Sequence, residues 1–332
     1  MADPKSQTDY DPQHEVACAI PKLPMEVRNV IHPVRMSADS TFQFRCHPGI
    51  ACFNECCRNI EIILTPYDMI RLRQRLNLSA EDFLYRYADP TFLQKGQLPV
   101  AIIAMDQETG RCPFNTDAGC SVYEDRPVNC RYYPIGLALM RQEDKSRYED
   151  FYFLIKEPYC QGHQEATPWT VAQWRQDQGT DGYDTHNAGW MEVVLKRRSA
   201  GDMVSTSPKL SEMFYMASTN PAEFRRFVFD STFLERYSVP DTVRERILHD
   251  DVALTRFAFD WMKNFMFGDR FAPVRPEAMA EVRERLLEKH RQRKAEMEQK
   301  VAREQENYLA EQAAQRNAPL EWDDDIPTES QP

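Results

Sequence analysis

Eight of the nine cysteines fall between Cys46 and Cys160, and that density constrains the fold more than any other feature of the chain. The stretch RCHPGIACFNECCR, residues 45–58, holds Cys46, Cys52, Cys56 and Cys57. Cys112, Cys120, Cys130 and Cys160 follow, and Cys18 stands apart in a polar N-terminal arm. The N-terminus has no basic segment running into an apolar one, and no apolar run reaches the ~20 residues that span a bilayer. A cytoplasmic location is therefore expected, where disulfides are uncommon and clustered thiols read as metal ligands. Thiolate is a soft donor that suits zinc and iron–sulfur clusters.

The spacings, C-x5-C-x3-C-C and then C-x7-C-x9-C, are neither the C-x2-C knuckles of zinc ribbons nor the ferredoxin run. Adjacent side chains diverge in helix and strand alike, so Cys56 and Cys57 are poorly placed to chelate one ion together. Either they serve two metals, or one ligates and the other packs, bridges or reacts. The eight divide into two four-thiolate sites or form one polynuclear centre. Four thiolates around a dication or a cubane leave net negative charge that needs donors and cations nearby. Arg45, Arg58, Arg111 and Arg131 each adjoin a cysteine, and Arg126 lies four residues before Cys130. His47 and His163 are further candidate ligands; His186, His249 and His290 read as ordinary surface or helix residues.

From Cys112 to Pro134 the chain reads CPFNTDAGCSVYEDRPVNCRYYP. With the preceding cysteine knot ending in CC, this resembles the CxxCxxCC (YkgJ-like) cysteine-cluster family of zinc- or iron-chelating proteins. The first half departs from the family's shorter gaps. The resemblance implies a metal centre, zinc or an iron–sulfur cluster such as a [4Fe–4S] cubane. It implies as ligands Cys46, Cys52, Cys56, Cys57, Cys112, Cys120, Cys130 and Cys160. The family is similar to the flagellin lysine methylases, so a metal-dependent methyltransferase-like enzyme acting on protein lysine is one alternative. A structural adaptor stapled by zinc is another. No glycine-rich nucleotide loop supports the enzyme, and catalytic residues are not identifiable.

The fold class expected is α+β. A polar arm (1–40) precedes a cysteine-cluster domain (41–165), a helical region (166–275), a long charged helix (276–316) and an acidic tail (317–332). Expected elements in the cysteine domain are a strand lead-in at Phe42–Phe44, a β-rich stretch over Asn59–Leu64, and helices from Pro66 and Ala80. A buried strand at Leu98–Met105, a short helix at Pro127–Tyr132 and a hairpin of Ile135–Met140 with Tyr148–Lys156 follow. Residues 112–130 read as loop with few apolar side chains. Beyond lie amphipathic helices over Trp169–Asp177, Trp190–Arg198, Leu210–Met216, Glu223–Tyr237 and Val243–Phe267. Trp169, Trp174, Tyr183 and Trp190 read as helix core, with a pocket behind the cysteines as the alternative. The net charge of −11 argues against nucleic acid as a partner. A protein partner could dock on the C-terminal helix.

Overall fold

The computed structural model describes residues 31–93, 98–141, 148–200 and 207–317. Cys18, most of the expected arm and all but Asn317 of the acidic tail lie outside them. The chain divides into two compact units, one of residues 1–231 with 239–271, the other of 232–238 with 272–332.

The first unit is α+β. Three antiparallel strands, β1 (Ile31–Met36), β8 (Ile135–Arg141) and β9 (Tyr148–Ile155), are ordered β1-β9-β8. A second sheet has the order β3 (Ile63–Leu64), β5 (Pro99–Ile103), β4 (Ala88–Phe92). Short pairs join β2 (Thr41–Gln43) to β10 (Pro168–Thr170), and β6 (Asn115–Thr116) to β7 (Gly119–Cys120). The expected hairpin and buried strand are present, whereas the β-rich stretch from Asn59 pairs only at Ile63–Leu64.

Helix starts follow the local sequence. In α1 (Pro66–Leu76), Thr65 and Asp68 form a reciprocal capping box and Pro66 occupies the first turn, where its missing N–H costs nothing. Ser79 caps α2 (Ala80–Tyr87) through the Asp82 N–H. The short α3 (Val128–Tyr132) carries Cys130. Thr170 and Gln173 box the start of α4 (Val171–Gln178), and Gly179 ends it in the left-handed region. Then come α5 (Thr180–Ala200), α6 (Pro208–Thr219) and α7 (Pro221–Phe229).

Two expected helices are broken, one of them by a competing cap. The run from Glu223 ends at Phe229, and a separate turn, α8 (Phe233–Arg236), follows Thr232. The run from Val243 splits into α9 (Asp241–His249) and α10 (Asp251–Phe267), because the Asp250 carboxylate accepts from the Val252 and Ala253 N–H groups. Asp and Ser compete for backbone donors and so favour caps over helix interiors.

One core gathers Phe42, Phe44, Tyr132, Ile135, Leu154, Val171, Trp174 and Tyr183. Another joins Leu64, Met69, Leu72, Phe83 and Ile103 to Cys112, Phe114 and Val122. The 112–130 segment is therefore not short of core: Phe114 and Val122 are fully packed against α1, α2 and β5 residues. Aromatic pairs Phe214–Phe259 and Phe224–Trp261 fill the helical part.

The second unit contains α8 and the long α11 (Pro276–Asn317), tied by Arg275 N–H to Arg236 O at 2.8 Å and Ser238 N–H to Pro273 O at 2.8 Å. Along α11, Leu286, Leu287, Met297, Val301, Tyr308 and Leu309 are exposed.

Candidate metal centre

All eight clustered cysteines line one cavity of about 1550 Å³, and none is in a disulfide. Backbone contacts between remote segments put them there. Asn54, left-handed at φ 70°, opens the single 3-10 turn Glu55–Cys57 that carries both adjacent thiols. The Cys112 N–H donates to Cys57 O at 2.9 Å, and Asn59 N–H to Gly110 O at 2.9 Å. This bridge requires glycine at 110: φ is +67°, and a Cβ would lie 2.0 Å from Asn59 Oδ1. Asn54 Nδ2 donates to Thr116 O at 2.9 Å, fastening the β6–β7 hairpin that carries Cys120.

On the other side, Arg45 N–H donates to Gly162 O at 3.0 Å, so Cys46 and Cys160 are held on neighbouring backbones. A Cβ on Gly162 would meet the Phe44 ring at 2.7 Å. The Gln161 N–H reaches Cys52 Sγ at 3.2 Å.

Neighbouring thiols act on one another electrostatically. Burial raises Cys46 to about 11, with further repulsion from Cys56, Cys52 and Cys160. Cys57 is raised by the hydrogen bond it shares with Cys56, then by burial and by Cys56, Cys130 and Cys112. Cys130 is raised by burial, then by Cys112, Asp68 and Cys120, while Arg126 opposes. The outer group is thus Cys46, Cys52, Cys56 and Cys160; the inner group is Cys57, Cys112, Cys120 and Cys130. Cys56 and Cys57 hydrogen-bond each other at the boundary, and that bond pulls Cys56 down.

Backbone N–H groups face several sulfurs. Cys112 takes them from Phe114 and Asn115, Cys120 from Val122 and Cys160 from Gly162, each opposing the rise that burial causes. The Tyr133 hydroxyl also lies beside Cys160, but its one proton goes to Glu157 Oε2 at 2.5 Å. Donors aimed at sulfur favour the anion, which is the ligating form.

The residues fit a thiolate-bound metal in donor type, number and surrounding N–H groups. Among the described residues no three Cys, His, Asp or Glu side chains already stand in the geometry of an ion site. Burial and repulsion between neighbouring thiols raise Cys46, Cys57, Cys112, Cys120, Cys130 and Cys160 and favour their protonated forms. A cation must supply the compensating charge and displace the protons.

The arginines divide differently from expectation. Arg126 is the guanidinium whose charge acts on Cys120 and Cys130. It also donates to Tyr123 O at 2.5 Å and to Gln178 Oε1, and lies 3.7 Å from the Tyr123 ring centroid. Arg131 is buried but is spent on carbonyls: it donates to Arg126 O at 3.0 Å, Gln178 O at 2.8 Å and Glu124 O. Arg58 and Arg111 make loose ion pairs with Glu55 at 3.8 Å and Asp117 at 3.4 Å. Asp68, fully buried and unsingled in the sequence, accepts from Val128 N–H at 2.9 Å and so seats the helix carrying Cys130. Its capping-box position was the only sequence signal.

His47 lines the cavity; its Nδ1 accepts from Gly49 N–H at 3.1 Å, and Nε2 lies 3.5 Å from Glu165. His163 is turned to Ile155 O at 2.9 Å and packs on Phe44. Trp174 and Trp190 are both core and cavity wall.

Neither a search of curated proteins nor one of solved structures returns a match. Residues 45–161, spanning the whole knot and both quartets, match the model of the CxxCxxCC family, described as "Putative zinc- or iron-chelating domain".

Proposed function

We propose that the chain binds two metal centres, one held by Cys46, Cys52, Cys56 and Cys160 and the other by Cys57, Cys112, Cys120 and Cys130. Each centre is zinc or an iron–sulfur cluster. What supports this reading is that all eight thiols line one cavity, that Cys46 is repelled by Cys56, Cys52 and Cys160, and that Cys57 is repelled by Cys130 and Cys112 as well as by Cys56. Iron–sulfur centres would supply electron transfer; zinc would supply a rigid cross-link. The protein's contribution is the set of N–H donors and Arg126, which offset the negative charge of ligated sulfur. A reducing compartment such as the cytoplasm suits eight unpaired thiols.

Anaerobic purification followed by metal and acid-labile sulfide analysis tests it. Two zinc ions per chain, or four irons with four sulfides per quartet, are the expected stoichiometries. Cys52→Ser and Cys112→Ser should each remove one centre and spare the other. A single centre abolished by either substitution overturns the two-site reading in favour of one polynuclear site.

A further inference from the structure

From Arg283 to Ala310 every residue of α11 is exposed, over a length of about 40 Å at 1.5 Å per residue. Helices in proteins owe most of their stability to packing one apolar face, and propensity alone supplies little. This helix carries such a face. Leu286, Met297 and Tyr308 recur at the 11-residue spacing that closes three turns. With 3.6 residues per turn, Met279 and Val301 fall within about 60° of the same line, and Leu287 and Leu309 widen it on one side. Each of these seven side chains is more than half exposed. Apolar residues scattered singly on a surface need no explanation, but an aligned stripe of them marks an interaction surface.

The charges say what covers it. Residues 283–294 hold six Lys or Arg against Glu284 and Glu288, a net of +4. Residues 295–310 hold Glu296, Glu298, Glu304 and Glu306 against Lys300 and Arg303, a net of −2. A parallel pair of such helices would set the basic segment beside its own copy, and like charges side by side are costly. An antiparallel pair sets each basic segment beside an acidic one. One register satisfies the apolar groups as well. With a two-fold axis between Met297 and Glu298, Leu286 and Leu287 stand opposite Leu309 and Tyr308 of the second copy. Lys289 then faces Glu306 and Arg291 faces Glu304, each pair occurring twice by symmetry. The pairs Lys294–Glu298 and Lys300–Glu304 within the helix are loose, at 3.8 Å, and do not compete strongly.

We infer that α11 is a self-recognition helix, residues 283–310 of two copies pairing antiparallel along the stripe from Leu286 to Leu309. The pairing is independent of which metal the cysteines hold.

The test uses the full chain. Sedimentation over micromolar to millimolar concentrations should show a monomer–dimer equilibrium. Lys289→Glu with Arg291→Glu should weaken it by roughly tenfold or more, since four facing pairs become repulsive, and Glu304→Lys with Glu306→Lys should do the same. Mixing the two double variants should restore dimers, because each altered segment then meets its complement. All four positions are exposed, so the fold does not depend on them. Orientation is read by p-benzoylphenylalanine in place of Leu287. On irradiation it should crosslink to peptides around Tyr308 of the second copy, which its own helix holds about 32 Å away. A chain that stays monomeric throughout overturns the inference. So does a crosslink from 287 to 287, which is the parallel arrangement, or crosslinking confined to residues before Pro276.

Discussion

The two cysteine quartets are built from the same side chain and differ in what surrounds it. In the inner group, Cys112 is a core residue, and Cys57, Cys120 and Cys130 pack against the same cluster as Phe114, Val122 and Phe83. In the outer group Cys46 is exposed, and among the described residues Cys160 packs against the core cluster of Phe44 and Trp174. The inner group is braced by buried charge, Asp68 beneath the helix of Cys130 and Arg131 knotting three carbonyls. The outer group is held by single backbone contacts such as Arg45 to Gly162. On the two-centre proposal, the inner thiols are part of the folding core and the outer ones are set against its edge. The inner centre should exchange slowly and the outer one readily.

Cysteine replacement breaks this comparison most directly. Cys130→Ser should remove the inner centre and lower stability as well, because structural zinc sites contribute apparent binding of about 10–16 kcal/mol that is coupled to folding. Cys52→Ser should remove the outer centre with a cooperative unfolding transition preserved. Metal analysis with urea unfolding on the same samples reads both. Equal destabilisation by the two substitutions would remove the distinction between the quartets.

Arg131→Met comes next. The methionine fills similar volume but leaves the carbonyls of Glu124, Arg126 and Gln178 without their donor, a loss of about 3–5 kcal/mol for a buried charged network. Unfolding midpoints should drop accordingly, while the outer centre remains in whatever protein is folded. A cost under about 1 kcal/mol would mean the inner quartet is not braced through this side chain.

How much of this was legible beforehand depends on the range of the interaction. The eight cysteines, the helix start at Pro66 and the hairpin of β8 with β9 are local signals, and they were readable; Thr170, the cap of α4, fell inside the helix expected from Trp169. The partition of the thiols was not, because Cys160 reaches Cys52 only through Gln161, far along the chain. Phe114 and Val122 were visible as residues but not as core, since they stand singly beside cysteines rather than in a periodic run. The break at Asp250 shows a cap overriding an amphipathic pattern that continued across it.

Asp68 sharpens the comparison through pH. Burial raises its carboxyl to about 6, against the hydrogen bonds from Thr65 and Val128 that favour the anion. Because the folded value lies above the unfolded one, the stabilisation belongs to the protonated form: it is full below the unfolded pKa near 4 and lost as pH rises through about 6. Between pH 4 and 7 the stability gap between wild type and Asp68→Asn should tilt by up to about 3 kcal/mol, relatively favouring the variant at the higher pH. A flat difference would show that Asp68 is ionised throughout.

The smallest effect is expected in the second unit, which carries no cysteine. Truncation after Ala280 keeps the ties of Arg275 and Ser238 to the α8 segment and retains Ala278, the buried residue of α11. It removes a helix whose apolar side chains, from Leu286 to Leu309, are exposed among many charges. Pairs such as Lys294–Glu298 and Lys300–Glu304, each at 3.8 Å, are solvent-exposed and contribute little to the stability of the rest. Both metal centres should therefore be retained, with the unfolding free energy changed by no more than about 0.5 kcal/mol. Far-UV circular dichroism should lose helix signal in proportion to the residues removed. The informative measurement is sedimentation of the full chain against the truncated one over a range of concentrations. Self-association that disappears on truncation would show that the exposed stripe is covered by a second copy, and the helix would then be a docking element rather than a solvated arm.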